Sequence, residues 1–332
     1  MRLRRLILKS IEFFGLHPYL RRRRHGALVL AYHGVEEQIL DPRIQTVHVS
    51  LLRFEQQMKY LKENFEVISV DELEQRLAAG SGLDGNQAVI TLDDGYRNNL
   101  QIAAPLLDSM DLPFSVFVCS LNVSDGHRLP TYLARSALYL TERPSCRIQA
   151  LNQELPLHSL EEKDFSARYL VATLKSSAQP VVESMLSDLE TLLPPERREE
   201  IDERFASDAL MNWDEVRTLH QNGVIIASHG KQHCILHDEQ ELDLVKTEVR
   251  ESKETLEREL GSCKYFAYPN GGPADISKAS VLEVERAGYA MGFTCIFGET
   301  RLDSPRPFLP RMDADVGFDT FKFFLNSAYR PR

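Results

Sequence analysis

Short apolar runs alternate along this 332-residue chain with longer amphipathic segments. Short runs rich in Val, Ile and Phe are typical of buried parallel strands, and amphipathic segments predict helices packed outside them. The predicted strands cover 27–31, 65–69, 88–92, 114–119, 224–228, 265–268 and 289–295, and a further short strand begins at Phe308 and ends near Arg311. This alternation predicts roughly seven parallel strands with helices outside the sheet.

The pattern changes between about Leu121 and Ser207. That segment has helical periodicity, a polar composition and six prolines, but no convincing central strand. We interpret it as a mainly helical insertion into one α/β domain spanning 25–332. The rest of the domain is close to the ~250 residues of a (β/α) barrel, and an open doubly wound sheet is the alternative. In both folds the functional residues lie at the carboxyl ends of the strands.

Charge is distributed unevenly along the chain. Residues 1–24 carry +7 and the whole chain carries −10, which leaves −17 for the remainder. A body this acidic argues against general nucleic-acid binding. The five cysteines are widely spaced and odd in number, which does not suit a disulfide framework and favours a reducing compartment.

The basic N-terminal segment, residues 1–24, lacks the long apolar core and the small-residue cleavage site of a signal peptide. Its apolar residues fall at helical spacing: Leu3, Leu6, Ile7, Ile11 and Phe14. This spacing predicts either a basic amphipathic helix on an anionic membrane surface or a solvated basic tail. No later stretch is apolar for long enough to span a bilayer. We therefore expect a cytoplasmic protein that contacts the inner membrane face if the amphipathic helix forms.

Two adjacent carboxylates, Asp93 and Asp94, directly follow the predicted strand 88–92. Gly95 then supplies the tight turn that leaves the strand. Neighbouring carboxylates raise one another's pKa, so placing them together is costly. An ordinary acidic turn is one interpretation, and a pair of functional carboxylates is the other.

Two histidines four residues apart, His229 and His233, follow the predicted strand 224–228. This spacing brings their side chains to one side of a helical turn or tight loop. Together with one carboxylate they would supply three protein ligands with open positions for water, which is typical of a catalytic divalent metal. The histidine pair therefore favours functional carboxylates over an acidic turn.

Four ordered motifs resemble those of a known family. They are Thr91-Leu-Asp-Asp-Gly-Tyr96, His229-Gly-Lys-Gln-His233, Phe266-Ala-Tyr-Pro-Asn-Gly271 and Leu309-Pro-Arg311. The set resembles the metal-dependent polysaccharide deacetylases, also called the NodB-homology or carbohydrate esterase family 4 domain. The resemblance covers about 27–311, with the helical insertion unmatched, and it implies a distorted (β/α)7 barrel.

The resemblance also implies roles for the four strongest residues. Asp94, His229 and His233 would hold the metal. Asp93 would be the general base, free to take a proton from the attacking water because its neighbour's charge is compensated by the metal. Zinc is the expected metal, and cobalt or nickel suit the same ligands.

Further site residues follow from the same motifs. Arg311 would orient Asp93 and lower its pKa. The backbone N–H of Asn270 would stabilise the tetrahedral oxyanion. We also expect Tyr96, Arg97 and Tyr268 to contact substrate.

The sequence departs from the family's motifs in two respects. Ala267 and Asn270 stand where the third motif usually has Arg and Tyr, and no histidine follows His237 to act as the usual general acid. We expect His237 itself to face solvent at a helix start. His33 closes the first predicted strand in a Tyr-His pair similar to the branch that includes poly-N-acetylglucosamine deacetylases. We predict that His33 protonates the leaving amine, and a buried structural histidine is the alternative.

These observations together predict a metal-dependent hydrolase that removes N-acetyl groups from an amino-sugar-containing glycan or lipid-linked glycan. Hydrolysis of an O-acetyl ester or another amide on the same scaffold is a second hypothesis, and a non-catalytic glycan-binding domain is a third. We expect the insertion to confer substrate specificity, because long excursions over an active-site face often do so.

Overall fold

The computed structural model describes residues 17–21 and 24–327. The predicted amphipathic helix around residues 3–14 lies outside the described residues. A short helix, α1 (His17–Arg21), is described within the basic N-terminal segment. Across the described part of the chain, no helix has the length and apolar character needed to cross a membrane.

Parallel strands form the centre of the molecule. In chain order the strands are β1 Leu28–Tyr32, β2 Gly34–Glu36, β3 His48–Ser50, β4 Glu66–Val67, β5 Gln87–Leu92, β6 Phe114–Val118, β7 Ser145–Ile148, β8 Gln153–Pro156, β9 Ile225–Ser228, β10 Tyr265–Ala267, β11 Met291–Phe293 and β12 Met312–Asp313. The main sheet has the spatial order β11-β10-β9-β6-β5-β1-β12, and β4 pairs with the start of β5. β2 pairs with β3 in a separate two-stranded sheet.

The two edges of the main sheet are joined by the segment that begins at Leu309. Leu309 forms a parallel bridge with Phe293 of β11, and Met312 pairs with Leu30 of β1. The strands therefore close into a ring, which confirms the predicted distorted (β/α)7 barrel.

This closing segment corrects one predicted strand. The strand expected to begin at Phe308 and end near Arg311 is instead Met312–Asp313. Arg311 precedes the strand, and its fully buried side chain belongs to the barrel interior.

Alternation along the strands separates the barrel interior from its outer layer. Leu28 and Ile90 belong to the large outer cluster that packs against the helices, whereas Val29 and Val89 belong to an inner cluster. Side chains two positions apart share one face of a strand. The same parity places the side chain of Asp93, four positions after Val89, towards the barrel interior.

Helices cover the outside of the barrel, and they make up most of the insertion. They are α2 Leu51–Asn64, α3 Val70–Ala79, α4 Ala104–Ser109, α5 Ser120–Asp125, α6 Pro130–Leu140, α7 Leu160–Ser176, α8 Gln179–Glu190, α9 Pro195–Arg204, α10 Trp213–Gln221, α11 Leu242–Leu260, α12 Lys278–Arg286 and α13 Phe318–Ser327. One π-helical turn, Asn99–Ala103, leads into α4. At the starts of α3 and α10, Ser69 and Asn212 each accept a hydrogen bond from the backbone N–H of the residue three positions ahead, whereas Ser50 precedes α2 without such a bond.

The segment between β6 and α10 contains five helices and an antiparallel hairpin, β7–β8, that the apolar pattern did not predict. It has a hydrophobic cluster of its own, which includes Leu138, Leu155, Leu170 and Met185. The hairpin was missed because only Cys146, Ile148 and Leu155 of its residues are buried, which leaves too short an apolar run to detect.

The side chain of Gln57 ties helix α2 to the closing segment of the barrel. Its Oε1 accepts a bond from the Tyr32 hydroxyl at 2.9 Å, and its Nε2 donates to the carbonyls of Ala314 and Val316 at 3.1 Å each. Gln57 has no exposed surface. The Tyr32 hydroxyl is fully buried and has Gln57 as its partner, whereas Val316 is half-buried and the Ala314 carbonyl also accepts the N–H of Val316 at 2.8 Å.

Gln57→Leu should therefore lower the free energy of unfolding by about 1–3 kcal/mol, because it leaves the buried Tyr32 hydroxyl unpaired and removes the link to the Ala314 and Val316 carbonyls. Gln56→Leu, at an exposed position of the same helix, is the matched control and should change stability little. Urea unfolding followed by circular dichroism measures both. Equal effects of the two substitutions would contradict the assigned role.

Candidate active site

A cleft of about 260 Å³ opens at the carboxyl ends of the barrel strands. The barrel contributes the polar and titratable side chains of the lining: His33, Asp93, Asp94, His229, His233, Asn270, Cys295 and Asp313. The insertion contributes the opposite wall: Leu129, Pro130, Thr131, Leu174, Lys175, Ser177, Gln179 and Val182. The cleft thus lies between the barrel and the insertion.

The backbone after β5 sends two consecutive carboxylates in different directions. Asp93 still follows the strand, and its N–H donates to the Tyr32 carbonyl at 2.8 Å. Asp94 and Gly95 then adopt left-handed conformations with φ of 72° and 76°. A Cβ on Gly95 would lie 2.8 Å from Val118 Cγ1, so only glycine fits there. This turn directs Asp93 into the barrel and Asp94 towards the histidines after β9.

Asp94, His229 and His233 form a compact cluster of ligand atoms. Asp94 Oδ1 lies 3.4 Å from His229 Nε2 and 3.3 Å from His233 Nε2. One ligand atom from each residue lies within 4.8 Å of the other two. Asp94 Oδ1 is buried and has no hydrogen-bond partner within the described residues. An unpaired buried oxygen facing two imidazoles fits a divalent metal ion.

His229 is held in the form that a metal requires. Its Nδ1 lies 2.8 Å from the carbonyl of Ala267, so Nδ1 carries the proton and Nε2 offers its lone pair to the cluster. Burial lowers the pKa of His229 to about 4, against the raising effect of nearby Asp93. The neutral imidazole is therefore the stable form at neutral pH.

Glu248 of α11 binds the backbone of the loop that carries His233. Glu248 Oε2 accepts the backbone N–H groups of Lys231 and Gln232 at 2.9 and 3.1 Å. The Glu248 side chain is fully buried, and burial raises the pKa of its carboxyl. These bonds stabilise the tight turn in which His233 adopts a φ of 59°.

Asp93 is paired with Arg311 by two parallel hydrogen bonds. Arg311 donates to Asp93 Oδ1 at 2.7 Å and to Oδ2 at 2.6 Å. It also donates to the hydroxyl of Thr91 and the carbonyl of Thr294. Burial is the largest single influence on the pKa of Asp93 and acts to raise it, but the charge and hydrogen bonds of Arg311 together with the nearby histidines His229 and His33 lower it overall. Asp93 is therefore ionised, with Oδ2 4.0 Å from His229 Nε2.

Asn270 lies on the far side of the cleft in a left-handed conformation with a φ of 60°. Its side chain donates to Asp275 and accepts a bond from Lys175 Nζ, both at 2.5 Å. No hydrogen-bond acceptor for its backbone N–H occurs among the residues described here. Asn270 lines the cleft with this amide unpaired, and its role towards a bound group stays a prediction.

His33 lies on the β1 side of the cleft. Its carbonyl accepts a bond from the Asn99 side chain at 2.7 Å, which fixes the backbone. Its ring Nδ1 is buried without a hydrogen-bond partner in the described structure. Asp313 of β12, which pairs with Ala31, adds a carboxylate to the cleft lining on this side.

Two of the three residues expected to contact substrate do not line the cleft. Tyr96 does, although it is 4% exposed. Arg97 instead forms an ion pair with Glu215 at 2.8 Å. Tyr268 is fully buried in the outer hydrophobic cluster, where its hydroxyl donates to the Pro307 carbonyl at 2.7 Å.

His237 also differs from expectation. It is 6% exposed rather than solvent-facing. Its Nδ1 accepts the N–H of Glu239 at 3.2 Å, and α11 begins five residues later, at Leu242. The ring therefore stabilises the turn that follows the histidine loop.

Sequence reasoning missed Lys175, a cationic side chain of the cleft lining. It lies on α7 of the insertion and reaches Asn270 across 95 positions of sequence. Burial lowers its pKa, while Asp275 acts to raise it. No local signal distinguishes Lys175 from other lysines, because its position depends on how the insertion packs on the barrel.

The fold and the cluster define a (β/α)7 barrel with a two-histidine, one-aspartate site at the carboxyl ends of its strands. Residues 81–292 match the sequence model of the family described as polysaccharide deacetylase. The chain therefore belongs to the polysaccharide deacetylase family, whose members are metal-dependent.

The chain is also similar to individual proteins that are named as deacetylases or share their fold. The poly-beta-1,6-N-acetyl-D-glucosamine N-deacetylase of Escherichia coli strain K12 is 29% identical over 90 residues, which are 27% of this chain and 13% of that protein. IcaB from Ammonifex degensii superposes with a TM-score of 0.57 at 17% identity, covering 92% of this chain and 97% of that one. The Streptococcus pyogenes deacetylase PplD, solved with acetate, gives 0.55 at 16% identity, with 87% and 92% covered. The two structures share the fold of this protein.

Glu248→Ala should weaken metal binding about 10–100-fold, because it frees the turn that presents His233. Glu254→Ala, at an exposed position of the same helix, is the matched control. Competition with a chromogenic zinc chelator measures both affinities. Unchanged affinity in Glu248→Ala would show that the loop holds His233 without this carboxylate.

Proposed function

We propose that this protein is a metal-dependent deacetylase that hydrolyses the N-acetyl group of an amino sugar. The observation that carries the proposal is that two adjacent carboxylates have different surroundings. Asp93 is bound to Arg311 at 2.6 and 2.7 Å, whereas Asp94 faces two histidines with one oxygen unpaired. One carboxylate is thus available for proton transfer and the other for a metal.

Asp94, His229 and His233 are the proposed metal ligands, and zinc is the proposed ion, because two imidazoles and a carboxylate suit it. When bound, the metal supplies Lewis acidity that polarises the acetyl carbonyl and lowers the pKa of water. The neutral state of His229, whose pKa burial lowers to about 4, supports this assignment.

Asp93 takes a proton from the water that attacks the acetyl carbonyl. Arg311 holds both oxygens of Asp93 in one orientation and keeps it ionised, so the base is ready at neutral pH. The free N–H of Asn270 donates to the oxygen that becomes negative in the tetrahedral intermediate. Lys175 fixes the Asn270 side chain and so supports the position of this amide.

His33 protonates the departing amine nitrogen. Its place in the cleft lining and its unpaired ring Nδ1 support this role. Proton donation is needed because an amine leaves poorly as an anion. Acetate and a free amino sugar are the products.

The proposed substrate is an N-acetylglucosamine-containing glycan or a lipid-linked sugar. The name of the E. coli relative supports the class of sugar. The cleft volume of about 260 Å³ lies just below the range of ~300–1,000 Å³ for drug-sized ligands, so we propose that one sugar ring enters it. The wall contributed by the insertion supports a role for that segment in specificity.

The proposed compartment is reducing. All five cysteines are free thiols, and four of them are buried. Burial raises the pKa of Cys119 and Cys234, which makes these thiols unreactive. These features suit a cytoplasmic protein.

Asp93→Asn should lower kcat about 10²–10⁴-fold while the metal content stays near that of the wild type. His229→Ala should lose both activity and metal. Because Asp93→Asn leaves Arg311 buried opposite a neutral group, thermal unfolding must show that the variant is folded at the assay temperature. Acetate release from N-acetylglucosamine oligomers and elemental analysis are the measurements. An Asp93→Asn variant that retains most of its activity would contradict the assigned base.

His33→Gln should slow amide hydrolysis much more than hydrolysis of an aryl acetate, because a phenolate leaves without protonation and an amine does not. We expect a loss of about 10²-fold for the N-acetyl substrate and little loss for 4-nitrophenyl acetate. A comparison of kcat for both substrates on both proteins tests this. Equal losses would assign His33 a structural role.

A further inference from the structure

A second cluster of metal-ligating side chains lies outside the cleft. It consists of Glu36 on β2, His48 on β3 and Asp208 in the helical turn Ala206–Asp208 at the end of the insertion. One ligand atom from each residue lies within 4.8 Å of the other two. The residues are 6%, 6% and 1% exposed, and none of them lines the cleft.

Several polar atoms of this cluster lack partners. Both ring nitrogens of His48 and Oδ2 of Asp208 are buried without a hydrogen bond in the described part of the chain. His48 Nε2 lies 3.2 Å from Asp208 Oδ1, but that oxygen already accepts a bond from Gln45 at 2.9 Å. An unpaired buried polar group costs about 1–3 kcal/mol. One nitrogen of the His48 ring and Oδ2 of Asp208 can face the same point, which indicates a missing partner between them.

The charges of the cluster are also unbalanced. Among the residues that the structure describes, neither Glu36 nor Asp208 forms an ion pair with lysine or arginine; His48 is the one basic neighbour. Glu36 accepts a hydrogen bond from the Asn98 side chain at 2.7 Å, but this amide is neutral and does not compensate the charge of the carboxylate. Two buried carboxylates with one histidine between them and no lysine or arginine in contact are disfavoured, because at most one of the charges is compensated. Burial accordingly raises the pKa of Glu36.

We propose that Glu36, His48 and Asp208 bind a second divalent metal ion. Two carboxylates and one imidazole suit a transition metal such as Zn²⁺ or Mn²⁺. The ion would neutralise both carboxylates and accept the lone pair of one His48 nitrogen. It would also pair the oxygen of Asp208 that now has no partner.

The position of the site indicates a structural role. The ion connects the β2–β3 pair to the end of the insertion, which are far apart in sequence. The His48 ring packs edge-on against Tyr96, with centroids 4.6 Å apart, and Tyr96 lines the cleft. On its other side the ring fills the space beside Gly34, where a Cβ would lie 2.1 Å from it. The ion therefore supports the cleft wall next to His33 without contacting substrate.

The test separates the two sites in the full chain. His229→Ala combined with His233→Ala removes the first metal site. After chelator treatment, dialysis against Zn²⁺ or Mn²⁺ and gel filtration, this double variant should retain one equivalent of metal by elemental analysis. Addition of Glu36→Gln should weaken that binding at least tenfold, whereas addition of Glu37→Gln, at the exposed neighbouring position, should not.

The ligands around the remaining ion provide a second test. X-ray absorption of the zinc-loaded double variant should show one imidazole and otherwise oxygen ligands, and its unfolding temperature should rise with metal. A double variant that binds neither ion overturns the proposal and leaves a proton shared between Glu36 and Asp208. Unchanged binding in Glu36→Gln also overturns it. If Glu36→Gln does not fold, His48→Gln is measured in the same way and decides the outcome.

Discussion

The buried pair of Asp93 and Arg311 is the interaction on which both the barrel and the cleft depend. Arg311 has no exposed surface and joins β5, through Asp93 and Thr91, to the residue after β11, Thr294. It immediately precedes β12, the strand that completes the ring against β1. Removal of one member of a buried pair typically costs about 3–5 kcal/mol, because the other charge remains without compensation. The same contact therefore closes the fold and orients the proposed base.

Strain is concentrated around the cleft. Of the five residues other than glycine with positive φ in the described chain, Asp94, His233 and Asn270 belong to the site. Such conformations cost about 1–3 kcal/mol each and persist when surrounding contacts determine them. Here Gly95 packs against Val118, and Glu248 binds the histidine loop. The barrel thus supplies the rigidity that lets consecutive residues serve different chemical roles.

The insertion and the barrel act as one unit at the cleft. Lys175 binds Asn270 from the insertion side, and Asp208 approaches Glu36 and His48 where the insertion returns to the barrel. Both contacts connect segments that are distant in sequence. These contacts are among those that hold the insertion against the barrel around the cleft.

The sequence by itself determined where the strands lie along the chain and that the functional residues follow their carboxyl ends. Strand β5 was predicted within one residue of its observed bounds. Buried parallel strands are locally recognisable because both faces are apolar, and their carboxyl ends share one edge of the barrel. This rule is sufficient to bring His33, Asp93 and His229 together around the cleft.

Only the tertiary structure decided which other side chains face that cleft. Arg97 follows the first motif and Tyr268 lies within the third, but their side chains bind Glu215 and the Pro307 carbonyl instead. Lys175 has no recognisable motif and yet reaches the site. Strand and helix periods are set by neighbours a few positions apart, whereas these side-chain directions are set by how segments tens to hundreds of residues apart pack against one another.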